Sequence, residues 1–433
     1  MAANTDKGIR NKVIYQIFTR NYKDGTFLAV EKDLERIRAL GVDIIYFLPL
    51  QPSGIVHCKG TSGSPYAIRD YRAVDPELGT MEEFVRLTEA IHAAGMQVML
   101  DVVYNHTSPD SWLAEKHPEW FFKKEDGSFG NRIGDWWDVI DLDYSHRDLW
   151  DYQIETLKMW AKYVDGFRCD VAPLVPLEFW KQARRAVEEV RPGCLWLAES
   201  VEPAFIMDCR KMGIPALSDG ELYQAFDICY DYDIYHDMAD VLCGERNLSE
   251  YLALVNRQEA VYPDNYSKLR CLENHDRPRA AAMIPDERVL RNWTAWTYFE
   301  KGIAMLYAGE EYCAKHHPTL FDPDPVVFDE NTDISGFLAK LGEIKKNPIF
   351  ARSSFHAEAI GKNGEVIFAV HEAEGSAPVP QKKAVGIFST TGRAQALRID
   401  LPDGIYEDAI TGKEVDVFEK TFAFDGEPVI LFP

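Results

Sequence analysis

The chain has 433 residues, enough for one large barrel and an accessory domain rather than several small domains, and its 46% hydrophobic and 12% aromatic content supports a sizeable core. Its formal charge of −23 repels polyphosphates and anionic lipid surfaces, which argues against nucleic acid and membrane as partners. The start, MAANTDKGIRNKV, has no apolar signal core, and no apolar run approaches bilayer length, so the chain reads as cytoplasmic.

In chain order, eight apolar, β-rich runs stand out: VIYQIFTR, DIIYFLPL, QVMLDVVYNH, GFRCDVA, LWLAES, ELYQAFDICY, LRCLENHD and IAMLYAGEE. LAVEKDLERIRALG lies between the first two and TMEEFVRLTEAIHAAGM before the third, each with helical periodicity and a Gly near its end. Strands alternating with helices imply a parallel sheet, and a count of eight favours a closed (β/α)8 TIM barrel, an α/β fold, over an open doubly wound sheet. The interval between Asp101 and Asp170 is too long for one strand–helix repeat, so a short lid is expected after the third strand, at about 107–162, aromatic and rich in turns. Beyond residue 345 the pattern changes to EVIFAVHE, KAVGIFST, QALRIDL, GIYEDAITGKEV and EPVILFP, with the polar stretch AEGSAPVPQKK among them. The expected division is therefore a catalytic barrel over 1–345 and an all-β sandwich domain over 346–433. Eight cysteines form no C-x-x-C pair, which fits a reduced compartment and not a zinc site.

Chemistry in such a barrel sits at the carboxyl ends of the strands. The residues there are Asp101, Asn105 and His106 on strand three, Arg168 and Asp170 on four, Glu199 on five, and His275 and Asp276 on seven. Arg168 and Asp170, two positions apart, leave their strand on one side and meet in one cavity. That pairing alone is also what a buried structural ion pair looks like. Three converging acids without a metal repel one another unless their environments split their pKa values. Arg168 is expected to hold Asp170 ionised, while apolar neighbours keep Glu199 protonated. That division is the scheme of a retaining glycosidase, with a carboxylate nucleophile and a proton donor. A metal-dependent barrel hydrolase using His106, Asp170, Glu199, His275 and Asp276 is the competing reading, but only two of eleven histidines fall at strand ends.

Four blocks in order, DVVYNH (101–106), GFRCD (166–170), LAES with Glu199, and ENHD (273–276), resemble those of the α-amylase family, glycoside hydrolase family 13, over essentially the whole chain. The resemblance implies that Asp170 is the nucleophile, Glu199 the general acid/base and Asp276 the transition-state stabiliser. Arg168, His106 and His275 look like the family's contacts to the sugar at the cleavage site. Within GSPYAIRDYRAVDPELGT, Tyr66 corresponds to the aromatic platform beneath the reacting glucose, whose apolar ring face suits an aromatic. VIDLDYSH, with Asp141 and Asp143, resembles the block closing the lid; Trp136 and Trp137 before it either line extra subsites or pack the lid.

Three departures from the family pattern shape the expectation. Pro173 and Leu174 stand where many members carry a Lys-His pair that contacts the leaving-group side and helps to hold calcium, so no metal or other cofactor is assigned. Gly63 stands where chain-end-cleaving members place an Asp, which leaves a chain-end pocket less supported. Val171 follows the nucleophile, a choice commoner in α-1,6-specific relatives. The expected activity is retaining hydrolysis of α-1,4-linked malto-oligosaccharides or related α-glucan oligosaccharides, with short products accumulating. An α-glucan transglycosylase or α-1,6-acting α-glucosidase of the same family is the alternative, and a catalytically silent α-glucan-binding protein is the alternative of another class.

Overall fold

The structure, a computed structural model, describes residues 4–134, 136–375 and 379–433. The first three residues of the start, Asp135 of the insertion and residues 376–378 of the polar stretch lie outside the described residues.

Eight parallel strands close into a barrel: β1 (Val13–Ile17), β2 (Ile44–Phe47), β3 (Gln97–Val102), β4 (Gly166–Cys169), β5 (Leu195–Ala198), β6 (Ile228–Tyr230), β7 (Lys268–Arg270) and β8 (Ile303–Tyr307). They neighbour one another in sequence order, and β1 pairs with both β2 and β8. The expected (β/α)8 barrel is therefore present. Its strands read as continuous apolar runs because both faces are covered, one by barrel-filling side chains and one by helices; β1, β2 and β8 are buried at every position.

The expected helix after Thr80 forms at Met81–Ala93. Thr80 and Glu83 make a reciprocal capping box, and Phe84, Leu87, Thr88 and Ile91 form the buried stripe. The first expected helix is instead split into Phe27–Glu31 and Leu34–Ala39. Asp33 sits at the break, where it pairs with Lys23 and Arg36. ELYQAFDICY is strand only over its last three residues, and its start belongs to a helical turn, Asp219–Leu222, closed by Ser218 and Glu221.

The lid also needs correcting. Residues His106–Thr107 pair antiparallel with Ile140–Asp141, and a short helix, Trp112–Lys116, lies between. Arg147–Trp160, inside the expected lid, is a helix with Leu149, Trp150, Ile154, Leu157 and Trp160 buried, and it leads straight into β4. Its aromatic content obscured a periodicity that places it with the barrel, so the excursion ends by about residue 146.

The C-terminal part holds β9 (Ser353–Ile360), β10 (Val366–Ala373), β11 (Lys383–Ser389), β12 (Gln395–Arg398), β13 (Gly404–Glu407), β14 (Glu414–Phe418), β15 (Thr421–Phe424) and β16 (Val429–Leu431). They form two four-stranded sheets, in the orders β9-β10-β11-β16 and β12-β15-β14-β13. In the first sheet β10, β11 and β16 are largely buried on both faces, whereas the edge strand β9 alternates buried and exposed side chains. Ile367, Ala369, Ala384, Phe388 and Ile430 join the barrel core, whereas Val366, Phe368, Val385, Ile387 and Val429 face the second sheet. All eight cysteines are free thiols, four of them buried. Among the described residues no helix is long and apolar enough to cross a membrane.

Candidate active site

The register of β3 against β4 places Asp101 beside Arg168 at the carboxyl end of the barrel. Arg168 is completely buried. Its Nη1 donates to Asp101 at 2.9 and 3.1 Å and to Asp170 Oδ1 at 2.8 Å, and Nη2 lies 3.0 Å from Glu199 Oε1 without hydrogen-bond alignment. One cation thus answers three carboxylates. Removal from water makes such a surplus of negative charge costly unless protons are shared. Asp170 Oδ2, the second oxygen of that carboxylate, is buried and has no hydrogen-bond partner among the described residues; His106 Nε2 is 3.7 Å away.

Val171 carries the turn after Asp170 in the left-handed region, at φ 40° and ψ 43°. A β-branched side chain pays for that conformation, and the strain is spent on aim. The Val171 N–H points at Glu199 Oε2 and donates to it at 2.7 Å. Glu199 is held from the other side by its own N–H, which donates to the Cys169 carbonyl at 3.0 Å and so continues the β4–β5 ladder.

A second chain of contacts orders the opposite rim. Gln16 Nε2 lies 3.0 Å from His275 Nδ1, which leaves the ring proton on Nε2. That nitrogen is 2.6 Å from the Tyr66 hydroxyl and 3.0 Å from Asp276 Oδ2. Tyr66 donates to Asp101 Oδ2 at 3.1 Å, as does Tyr46 at 2.6 Å, and the Tyr66 and His275 rings stack at 5.5 Å. Asn105 Nδ2 contacts His106 Nδ1 at 3.1 Å, turning the His106 Nε2 proton toward Asp170, and Trp136 lies against the same imidazole at 5.6 Å.

Electrostatics divides the acids. Burial, then the charge of Glu199, pushes Asp170 well above the ordinary carboxylate range against the pull of Arg168. Burial also raises Glu199, again opposed by Arg168. Asp276 opens to the cleft, with 43% of its side chain exposed. Although burial works against its charge, the hydrogen bond from His275 and the nearby Arg168 and Arg277 hold Asp276 down at about 2. Burial lowers His106 to about 4, so it is neutral near pH 7. Arg168 was expected to hold Asp170 ionised; burial and the neighbouring Glu199 carboxyl instead raise Asp170 against that pull.

The positions that could hold a calcium ion do not fit one. Asp141 accepts the Arg132 N–H at 2.7 Å and Asn131 Nδ2 at 3.3 Å, with the Arg132 guanidinium 3.8 Å away. The Asn105 side-chain Nδ2 is engaged by His106 Nδ1, the Asn105 backbone carbonyl accepts the Leu142 N–H at 2.9 Å, and Leu174 offers no ligand side chain. Arg132 also donates to the Leu142 carbonyl at 2.9 Å, so an internal cation ties this part of the lid. Among the described residues no three His, Cys, Asp or Glu side chains are placed to share a metal.

All seven residues expected at the site, Asp170, Glu199, Asp276, Tyr66, His106, Arg168 and His275, thus join one contact network. Gln16, Tyr46 and the supporting role of Asp101 escaped the sequence reading. The signal for Gln16 was present, since it is the polar residue within a strand that is otherwise Val, Ile and Tyr.

Residues 14–355 match the model of the alpha amylase catalytic domain, and residues 361–431 that of the bacterial alpha amylase C-terminal domain. The crystal structure of an alpha-amylase from Lactobacillus plantarum is 43% identical, with a TM-score of 0.94, covering 98% of this chain and 99% of that one. A maltogenic alpha-amylase, AmyB, from Thermotoga neapolitana is 31% identical, with a TM-score of 0.86 and the same coverage. Among curated proteins, the alpha-1,4-glucan:maltose-1-phosphate maltosyltransferase of Rhodospirillum rubrum is 34% identical over 44% of this chain and 30% of its own length. Alpha-amylase MalA of Haloarcula japonica is 27% identical over 70% of this chain and 44% of its own. The chain thus spans less than half the length of these curated relatives.

Proposed function

The chain belongs to the α-amylase family, and from its site we propose that it hydrolyses α-1,4-glucosidic bonds of malto-oligosaccharides with retention of anomeric configuration. The observation that carries this reading is the state of the Asp170 carboxylate: Oδ1 is fixed by Arg168 at 2.8 Å while Oδ2 is buried and unpartnered among the described residues. A carboxylate oxygen with its lone pair uncommitted, in a water-poor site, is what attack on an anomeric carbon requires.

In the first step Asp170 Oδ2 bonds to the anomeric carbon as the bond to the leaving oxygen breaks, and Glu199 gives that oxygen its proton. Glu199, whose carboxyl burial favours in its protonated form, donates to the incoming glycosidic oxygen. Asp276, ionised down to about pH 2, supplies negative charge to the oxocarbenium-like transition state across the ring. In the second step Glu199 takes a proton from water, the water oxygen bonds to the anomeric carbon, and the ester to Asp170 breaks. Tyr66, with its ring beside His275, gives the apolar face of the sugar a surface to rest on, and His106 and His275 present N–H donors to its hydroxyls.

The maltosyltransferase matches favour one second reading, in which a sugar hydroxyl replaces water in the second step. Both readings use this chain's residues alone, without cofactor. The expected setting is the cytoplasm, in keeping with eight free thiols. Incubation with maltoheptaose, with products followed over time by chromatography and the anomer of the first product by NMR, tests the proposal. Shorter α-anomers alone support hydrolysis, chains longer than heptaose identify transfer, and an unchanged substrate leaves only glucan binding.

A further inference from the structure

We propose that the cleft is closed on its glycone side by a bridge of the loops after β1, β2 and β8 with the lid, so that the protein accepts only the non-reducing end of an α-glucan and removes short units from it. This rests on the hydrolase reading and names its substrate end.

The direction of the chain follows from the barrel. Glu199, at the end of β5, must meet the leaving oxygen, so the departing sugars lie on that side. Across the barrel from β5 stands β1, flanked by β2 and β8. A glycone resting on Tyr66 and His106 therefore runs toward the loops that follow β1, β2 and β8, and toward the lid.

Those segments are fastened to one another. Thr61 of the β2 loop donates through its N–H and Oγ1 to Asp322 of the β8 loop at 2.8 and 2.7 Å, and the Ser62 N–H donates to the Phe321 carbonyl at 3.0 Å. The fit leaves no slack, since a Cβ on Gly60 would lie 2.4 Å from the Phe321 carbonyl oxygen. Arg20, after β1, donates to the carbonyls of Gly63 at 3.0 Å and Leu320 at 3.3 Å. The third side is the lid: Lys59 Nζ pairs with Asp138 Oδ1 at 2.7 Å, and Asp138 is only 3% exposed.

The chemistry of the Lys59–Asp138 pair suits a sugar terminus. Lys59 Nζ stands 5.6 Å from the ring centres of both Trp137 and Phe321, and Asp138 uses one of its three N–H donors. The remaining donors and the Asp138 carboxylate can bind the free hydroxyls of a terminal glucose while the aromatic faces cover its ring. Trp136, two residues before Asp138, lies 5.6 Å from the His106 imidazole, which puts the bridge close beside the cleavage point. Gly63, at φ 72°, presents its carbonyl to Arg20, and Asp138 brings a carboxylate from the lid.

The test compares p-nitrophenyl maltoheptaoside having a free non-reducing end with the same substrate capped there by a 4,6-O-ethylidene group. Release is read by product chromatography. The capped substrate is expected to be cut at least about 100-fold more slowly, because the cap removes two hydroxyls and adds bulk where the site is built to bind them. D138N and K59M should each raise the capped-to-free ratio about tenfold, as a polar recognition pair is broken. Equal rates on the two substrates, or variants with an unmoved ratio, would overturn the inference while leaving the hydrolase reading intact. Failure to cut either substrate would overturn both.

Discussion

Replacing Asp170 by Asn should abolish turnover and make the protein more stable. Asn can keep its amide oxygen on Arg168 Nη1, where Asp170 Oδ1 now accepts at 2.8 Å, and put its NH2 where Oδ2 has no partner to lose. No hydrogen bond is forfeited, and a buried charge disliked by both its surroundings and Glu199 disappears. Because the folded-state pKa of Asp170 is raised, its favourable contribution is fully present below the unfolded value of about 3.9 and is lost as pH rises through the folded value. The wild type gives up that stability as pH rises through the folded value, and the variant, with no proton to lose there, does not. The expected gain at pH 7 is about 0.5–2 kcal/mol, the usual return from relieving a functional site. For a chain of this length that is a rise in Tm of about 0.5–2 °C. The gap should close toward pH 4, where the wild-type carboxyl is neutral as well. Loss of the nucleophile should cost at least about 10⁴-fold in kcat. Calorimetry at pH 4, 5.5 and 7, with maltotetraose turnover alongside, decides the matter. A variant less stable than wild type at pH 7, or one keeping more than a hundredth of its turnover, refutes the reasoning.

E199Q should lower kcat on maltotetraose by about 10²–10⁴-fold, the usual worth of a positioned acid. On an aryl maltoside with a good leaving group it should instead show a burst followed by a stalled glycosyl-enzyme, visible by intact-protein mass; no covalent adduct would remove Glu199 from the acid/base role. In the wild type, the alkaline limb of kcat/KM should fall above the ordinary glutamate value of about 4.3, because burial raises Glu199 and its loss of a proton ends catalysis. Asp276, held at about 2, should add no limb between pH 3 and 8, and an alkaline midpoint at or below the ordinary glutamate value would contradict the raised Glu199. Finally, EDTA and millimolar calcium should leave both activity and Tm unchanged, since Asp141 and Asn105 are already engaged inside the protein and a hard cation wants six to eight oxygens. A large fall in both on chelation would show that other oxygens complete a site.

What was legible in the sequence was what a parallel barrel repeats. Each strand is a short run buried on both faces, so it announces itself by apolarity, and the first polar residues after it are the ones the fold delivers to the rim. That is why Asp101, Arg168, Asp170, Glu199, His275 and Asp276 could be picked out as a set, and why i, i+2 spacing alone predicted that Arg168 meets Asp170. Two kinds of information were missing. One is the environment of a charge: Arg168 was expected to settle the state of Asp170, but Asp101 and Glu199 claim the same guanidinium, and that competition depends on strand register rather than on neighbours in the chain. The other is contact between loops. Lys59 with Asp138, Thr61 with Asp322, and Arg20 with the Gly63 carbonyl join segments that share no periodicity and no motif, and nothing near any one of them names its partner. The division has a physical consequence. Strand ends deliver the reacting groups to one rim, whereas the length and end of the glucan accepted are proposed to depend on pairings between loops. The residues that decide which bond in a glucan this protein cuts are therefore to be sought in the bridge rather than at the strand ends.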